Sequence, residues 1–147
     1  MNQKFGKIRL HHAGIAVRSI ADSSALFKKS FGFGPSTEII EDKTQKVRVG
    51  FSEVSEGVFV EFVEPAGSDT PVSNLLKRGG GIYHLCYRVP NIENAIKQVR
   101  QAGGILVSGP VPAEAFGGRK IAFVYTADRN LAEFVEDDDT AGTLLEK

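Results

Sequence analysis

The tetrapeptide Glu61-Phe62-Val63-Glu64 returns unchanged as Glu133-Phe134-Val135-Glu136, and the step of 72 residues between the copies also carries His12 onto His84. Imidazole nitrogen and carboxylate oxygen are both donors to divalent metals. Two of each, at equivalent positions of two copies, converge on one ion when matching strands face each other across a pseudo-twofold axis. Two nitrogens and two hard oxygens, with two positions left for water or substrate, suit octahedral Mn, Co, Ni or Fe and also admit Zn, whereas Mg prefers oxygen alone. His12, Glu61, His84 and Glu133 are therefore the predicted metal ligands. A single His on an apolar strand is more often a satisfied core or surface residue; the matched pairs are what point to a metal enzyme.

The same step relates residues that carry no chemistry. Val17 falls on Val89, Ile20 on Ile92, Gly32 on Gly104 and Phe51 on Phe123. A chance tetrapeptide would not bring helix-ending glycines and strand hydrophobics with it, so the chain is a tandem duplication. Each copy must then supply the elements that place its own His and Glu. In copy one, residues 10–17 alternate as a strand, Ile20, Ser24, Phe27 and Phe31 recur at helical spacing, and Gly32 stands where a left-handed residue ends a helix. Strands are expected at 47–51 and 58–63, with the poorly patterned 37–40 as the second strand of a β-α-β-β-β plan. Copy two repeats the plan: a strand at 84–89, a helix capped by Asn91 and ended by Gly103-Gly104, and strands at 121–126 and 131–135. Between the copies Thr70-Pro71 reads as a helix cap, and Gly79-Gly80-Gly81 stops that helix.

Strand parity decides which way each candidate faces. Glu61 shares a face with Phe59 and Val63, while Val60 and Phe62 point oppositely, toward the helix; Glu133 repeats this arrangement. The expected fold is α+β: two paired β-α-β-β-β modules curled into a cupped, barrel-like mixed sheet around a metal site. Residues 1–147 are read as one domain, with module one at 8–65, a connector at 66–81, module two at 82–136 and an acidic tail at 137–147 that is solvated or a peripheral helix. His11 is matched by Tyr83 and its parity turns it away from the cavity, which suggests a surface or helix-packing role. Cys86 lies on the His84 face, where a small residue filling a tight place is the simplest reading. Phe116-Gly117-Gly118 reads as a substrate-closing rim or an ordinary hairpin loop.

Composition narrows the partners. Eighteen basic and eighteen acidic residues cancel, and no Lys/Arg run long enough to track a phosphate backbone occurs, so nucleic acid is not an expected partner. The lone Cys86 excludes an intrachain disulfide and fits a reducing compartment. Lys4, Lys7 and Arg9 interrupt any apolar start, and no stretch approaches the ~20 apolar residues of a spanning helix. A cytoplasmic protein with no membrane partner is expected.

With these residues in place, the chain resembles the vicinal oxygen chelate superfamily, whose members pair β-α-β-β-β modules around a metal, and within it the methylmalonyl-CoA epimerase family. The likeness runs through the opening strand from Leu10 to Val17 with His12, through Val60-Glu61-Phe62-Val63-Glu64-Pro65, through Gly80-Gly81-Ile82-Tyr83-His84-Leu85-Cys86, and through Leu131-Ala132-Glu133-Phe134. The resemblance implies a divalent ion that chelates a small-molecule substrate, an acyl-CoA thioester among the candidates. It also implies abstraction of the α-proton through a metal-stabilised enolate, catalytic roles for Glu133 and Glu61, and a homodimer. Epimerisation needs bases on both faces, and that family's second base is a Glu just before the third strand, where this chain has Thr44, with Gln45 beside it and Glu41 and Asp42 upstream. The resemblance therefore leaves a lyase or isomerase of glyoxalase I type as the nearest alternative. A ring-cleaving dioxygenase would use Fe(II) with one carboxylate, and Glu61 counts against it. A metal-free binding protein of bleomycin-resistance type would have no use for both His and both Glu. Lys28-Lys29, Lys77-Arg78 and Arg119-Lys120 are basic pairs that either meet CoA phosphates or are simply solvated.

Overall fold

The structure divides where the sequence repeats. A computed structural model of the chain, describing residues 8–137, separates into two compact units: residues 12–83, and residues 84–137 together with 8–11. The divisions at His12 and His84 are one repeat step apart.

In the first unit, β1 (Arg9–Ala16) runs parallel to β4 (Val58–Pro65), β4 runs antiparallel to β3 (Val47–Ser55), and β3 runs antiparallel to the short β2 (Ile40–Asp42). Helix α1 (Ile20–Phe31) crosses from β1 and covers one face of this sheet. It starts where Ser19 Oγ accepts the Asp22 N–H at 3.1 Å, and stops where Gly32, at φ 82°, donates its N–H to the Lys28 carbonyl. The core beneath it is Val17, Ile20 and Phe62, flanked by Ile15, Phe27 and Val60. The even-numbered residues of β4 thus face the helix, leaving Glu61 on the other side. Helix α2 (Pro71–Lys77) follows, with Thr70 Oγ1 accepting the Ser73 N–H at 3.0 Å. Gly80 ends this turn where a Cβ would come within 3.1 Å of the Ala16 carbonyl oxygen.

The second unit repeats the scheme with strands in the order β5-β8-β7-β6: β5 (Gly81–Val89), β6 (Ile105–Pro112), β7 (Lys120–Tyr125) and β8 (Leu131–Glu136). Helix α3 (Ile92–Gln101) is capped by Asn91, whose Oδ1 accepts the Asn94 N–H at 2.9 Å. Its Ile92, Ala95 and Ile96 pack on Val89, Ala122, Val124 and Phe134. Both units are α+β with the expected element order. Among the described residues, no helix is long and apolar enough to cross a membrane.

Three expectations are corrected. The second strand is Ile40–Asp42, not 37–40. Ser36 and Thr37 instead use their hydroxyls on β3, with Ser36 Oγ accepting from Glu53 N at 2.8 Å and Thr37 Oγ1 from Phe51 N at 3.1 Å. These side-chain bonds, with one backbone bond from Ser36 N–H to the Phe51 carbonyl at 2.8 Å, take the place of a strand ladder there. Asp137 is not solvated: it is buried, donates its N–H to the Val89 carbonyl at 2.8 Å and lies 3.7 Å from Arg88 NH1. The remainder of the predicted tail, 138–147, is outside the described residues. Of the two roles expected for His11 the surface one is excluded, since it is buried edge-on to the Phe116 ring at 5.4 Å.

Candidate metal centre

Each unit builds the same trio on the sheet face opposite its helix. In the first, His12 Nε2 lies 3.2 Å from Glu61 Oε1. Phe51 stands opposite Glu61 in the β3–β4 register and edge-on to the His12 ring at 5.5 Å. In the second, His84 Nε2 lies 3.0 Å from Glu133 Oε1, and Phe123 pairs with Glu133 and meets the His84 ring at 5.3 Å. All four polar side chains are buried. Phe51 and Phe123 are themselves one repeat step apart, so the duplication preserved the packing that orients each imidazole as well as the donors.

The donor spacing can be compared with what a metal requires. Two donors each about 2.1 Å from one ion are about 3.0 Å apart at a right angle and about 3.4 Å apart at the tetrahedral angle. The observed 3.0 Å matches adjacent octahedral positions, and 3.2 Å lies midway between the octahedral and tetrahedral spacings. An imidazole N–H bonded to a carboxylate has the same spacing, so each pair is geometrically ready for an ion and also satisfied without one.

The neighbouring register positions differ between the copies. Gly14 stands beside Glu61 in the β1–β4 pairing, and Cys86 stands beside Glu133 in the β5–β8 pairing. Cys86 is fully buried, in keeping with a small residue filling a tight place.

The second Glu of each tetrapeptide has a task that sequence reasoning missed. Glu64 Oε1 accepts the Ile20 N–H at 2.8 Å, and Glu136 Oε2 accepts the Ile92 N–H at 3.0 Å. Each carboxylate satisfies an orphan donor at the first turn of its module's helix, where the helix dipole favours negative charge. One end of each four-residue motif thus holds the carboxylate that meets the module's His, and the other ties that strand to the helix beneath it. Glu64 is held further by Arg48 at 2.6 Å. The available signal was the spacing: Glu61 and Glu64 are three apart, so on a strand they face opposite ways. Removing this tie in Glu136→Ala is expected to lower stability by about 1–2 kcal/mol in urea unfolding. Glu64→Ala should lose more, because Arg48 also loses its carboxylate partner.

The other candidates are placed as follows. Thr44 and Glu41 are exposed, and Asp42 is engaged by Gln45 through two bonds of 3.0 and 2.9 Å. Lys28, Lys29, Lys77, Arg78 and Lys120 are exposed, while Arg119 donates to the Phe116 carbonyl at 3.4 Å. Phe116 is buried in a short 3-10 turn (Glu114–Phe116), which anchors the expected rim instead of leaving it free.

Residues 11–123 match the model of the Glyoxalase/Bleomycin resistance protein/Dioxygenase superfamily. The chain belongs to that superfamily. Among its relatives, the mitochondrial methylmalonyl-CoA epimerase of Dictyostelium discoideum is 30% identical over 131 residues, covering 86% of this chain and 76% of that protein. The crystal structure of a hypothetical protein from Bacillus halodurans C-125 superposes with a TM-score of 0.79 at 30% identity, covering 92% of this chain and 99% of that one. Methylmalonyl-CoA epimerase from Mycobacterium tuberculosis shares the fold at a TM-score of 0.76 and 24% identity, covering 87% of each chain. The vicinal oxygen chelate fold expected from the residues is the fold of these superfamily members.

Proposed function

We propose that this chain is a divalent-metal-dependent enzyme that removes a proton α to a carbonyl, with His12, Glu61, His84 and Glu133 holding a single ion. The observation that carries this reading is the pair of buried His–Glu contacts at 3.2 and 3.0 Å, built independently in two copies of one module. Superfamily membership and epimerase relatives support it. The donor set suits Co, Mn, Ni or Fe, and also Zn. When bound, the ion supplies Lewis acidity that stabilises charge developing on the substrate carbonyl oxygen. The chain's own residues do the rest. His12 and His84 act as neutral imidazole donors, with Phe51 and Phe123 fixing their ring planes. Glu133 takes the proton, and Glu61 is the matching carboxylate of the other copy.

The substrate class in this proposal is a small acyl compound, an acyl-CoA thioester as the relatives' names indicate, handled by a cytoplasmic homodimer. Thr44 favours a second reading. It is exposed on the β2–β3 turn, where the epimerase pattern expects a Glu, and a hydroxyl is not a base near neutral pH. One base suffices for a glyoxalase I-type reaction, in which the proton leaves and returns on one face.

Solvent-deuterium exchange into methylmalonyl-CoA by Co- or Mn-loaded protein tests the proposal. Exchange is expected to outpace net epimerisation, and Thr44→Glu is expected to raise epimerisation about tenfold or more relative to exchange. An absence of exchange from both proteins would reject proton abstraction from this substrate.

A further inference from the structure

We infer that the substrate carries an apolar alkyl or aryl body, and that this body lies on the outer part of the second module's sheet, on the face that bears Glu133. This deepens the proposed function and rests on it. Reading outward from Glu133, the β7 residue opposite is Phe123, and the β6 residue opposite Phe123 is Ser108. On the same face Ile105 pairs with Tyr125 and Val111 with Ile121. The other face is accounted for, since Leu106 and Val124 pack under α3.

The Glu133 side stays open to solvent toward the sheet edge. Ile105 is 59% exposed, Val111 44% and Tyr125 38%. The register shifts between Leu106 and Ser108, and Ser108 opposes Phe123. These paired residues include no charged side chain, so this part of the face offers contact to carbon but no counter-ion for phosphate or ammonium. Contiguous exposed apolar surface is a feature of ligand grooves and of protein interfaces.

Two occupants fit such a face: a substrate body or a second copy of the chain. β6 is the last strand of its unit's order, yet it is badly made for strand addition. Its register shifts twice, between Leu106 and Ser108 and between Ser108 and Val111, and Pro110 and Pro112 offer no N–H. The apolar strip is also continuous with Glu133 through Phe123, which favours the substrate. Two strand spacings separate β8 from β6, about 10 Å. That is the reach of a chain of six to eight carbons, longer than a methyl branch.

A hydroxamate series is the probe. Acetohydroxamate, hexanohydroxamate and octanohydroxamate are titrated into Co-loaded protein, with Co affinity measured separately by its visible absorption. Affinity is expected to rise at least tenfold along the series. Ile105→Asp and Val111→Asp should each remove that gain while leaving Co and acetohydroxamate affinities within twofold. A flat series on Co-loaded protein overturns the inference and leaves the metal reading intact. So does a gain that survives both variants, or a change of sedimentation state in the variants with the series unaffected, which would make a second copy the occupant. If Co does not bind, the metal reading fails instead, and octanoate titrated into metal-free protein decides the inference. Amide shifts confined to 105–111 and 121–125 would uphold it, and none there would end it.

Discussion

His84→Ala is expected to weaken Co(II) binding at least about 100-fold, measured by competition with a chelating dye. Losing a partner that merely orients a ligand already costs about 10–100-fold in metal affinity, and removing a donor should exceed that. His84 is buried, and its Nε2 sits 3.0 Å from Glu133 Oε1. Alanine deletes the nitrogen and leaves the Glu133 carboxylate without its imidazole neighbour. It also opens a hole beside Phe123, so circular dichroism must confirm the fold before affinity is read. His12→Ala should give a loss of the same order, since the first unit repeats the contact at 3.2 Å. A large loss in one variant and none in the other would mean that only one pair binds metal.

Glu133→Gln is expected to slow α-proton exchange by about 100- to 10,000-fold, the range a positioned general base contributes, with the protein still binding metal. The amide keeps an oxygen donor of the same size and reach but cannot accept a proton at neutral pH. The separation between chemistry and binding is what distinguishes a base from a residue that only holds the ion. Glu61→Gln is the internal control: it makes the same change in the other copy, and exchange should fall less. Equal losses would assign the proton transfer to both carboxylates or to neither.

The His–Glu pairs were legible because duplication writes its own alignment. A motif repeated after 72 residues marks which His and which Glu are equivalent, and period-two parity sets their face. Glu64 and Glu136 were not found, although they lie in the same motif. A carboxylate on the helix side of a strand resembles an ordinary surface residue until the helix N-terminus it meets is known. The second strand was misplaced because Ser36 and Thr37 bond to β3 through their side chains, which leaves no alternation to read. Asp137 belonged by composition to an acidic run, and only the fold shows it turned inward beside Arg88. Phe116 was judged by its two glycine neighbours, whereas its ring packs on His11, more than 100 residues earlier in the chain.

Cobalt titration with X-ray absorption on the loaded protein tests the shared-ion claim most directly. One Co per chain, six-coordinate, with two imidazoles in its shell and lost in either His→Ala variant, is the predicted result. Two ions per chain, or one ion carrying a single imidazole, would contradict it.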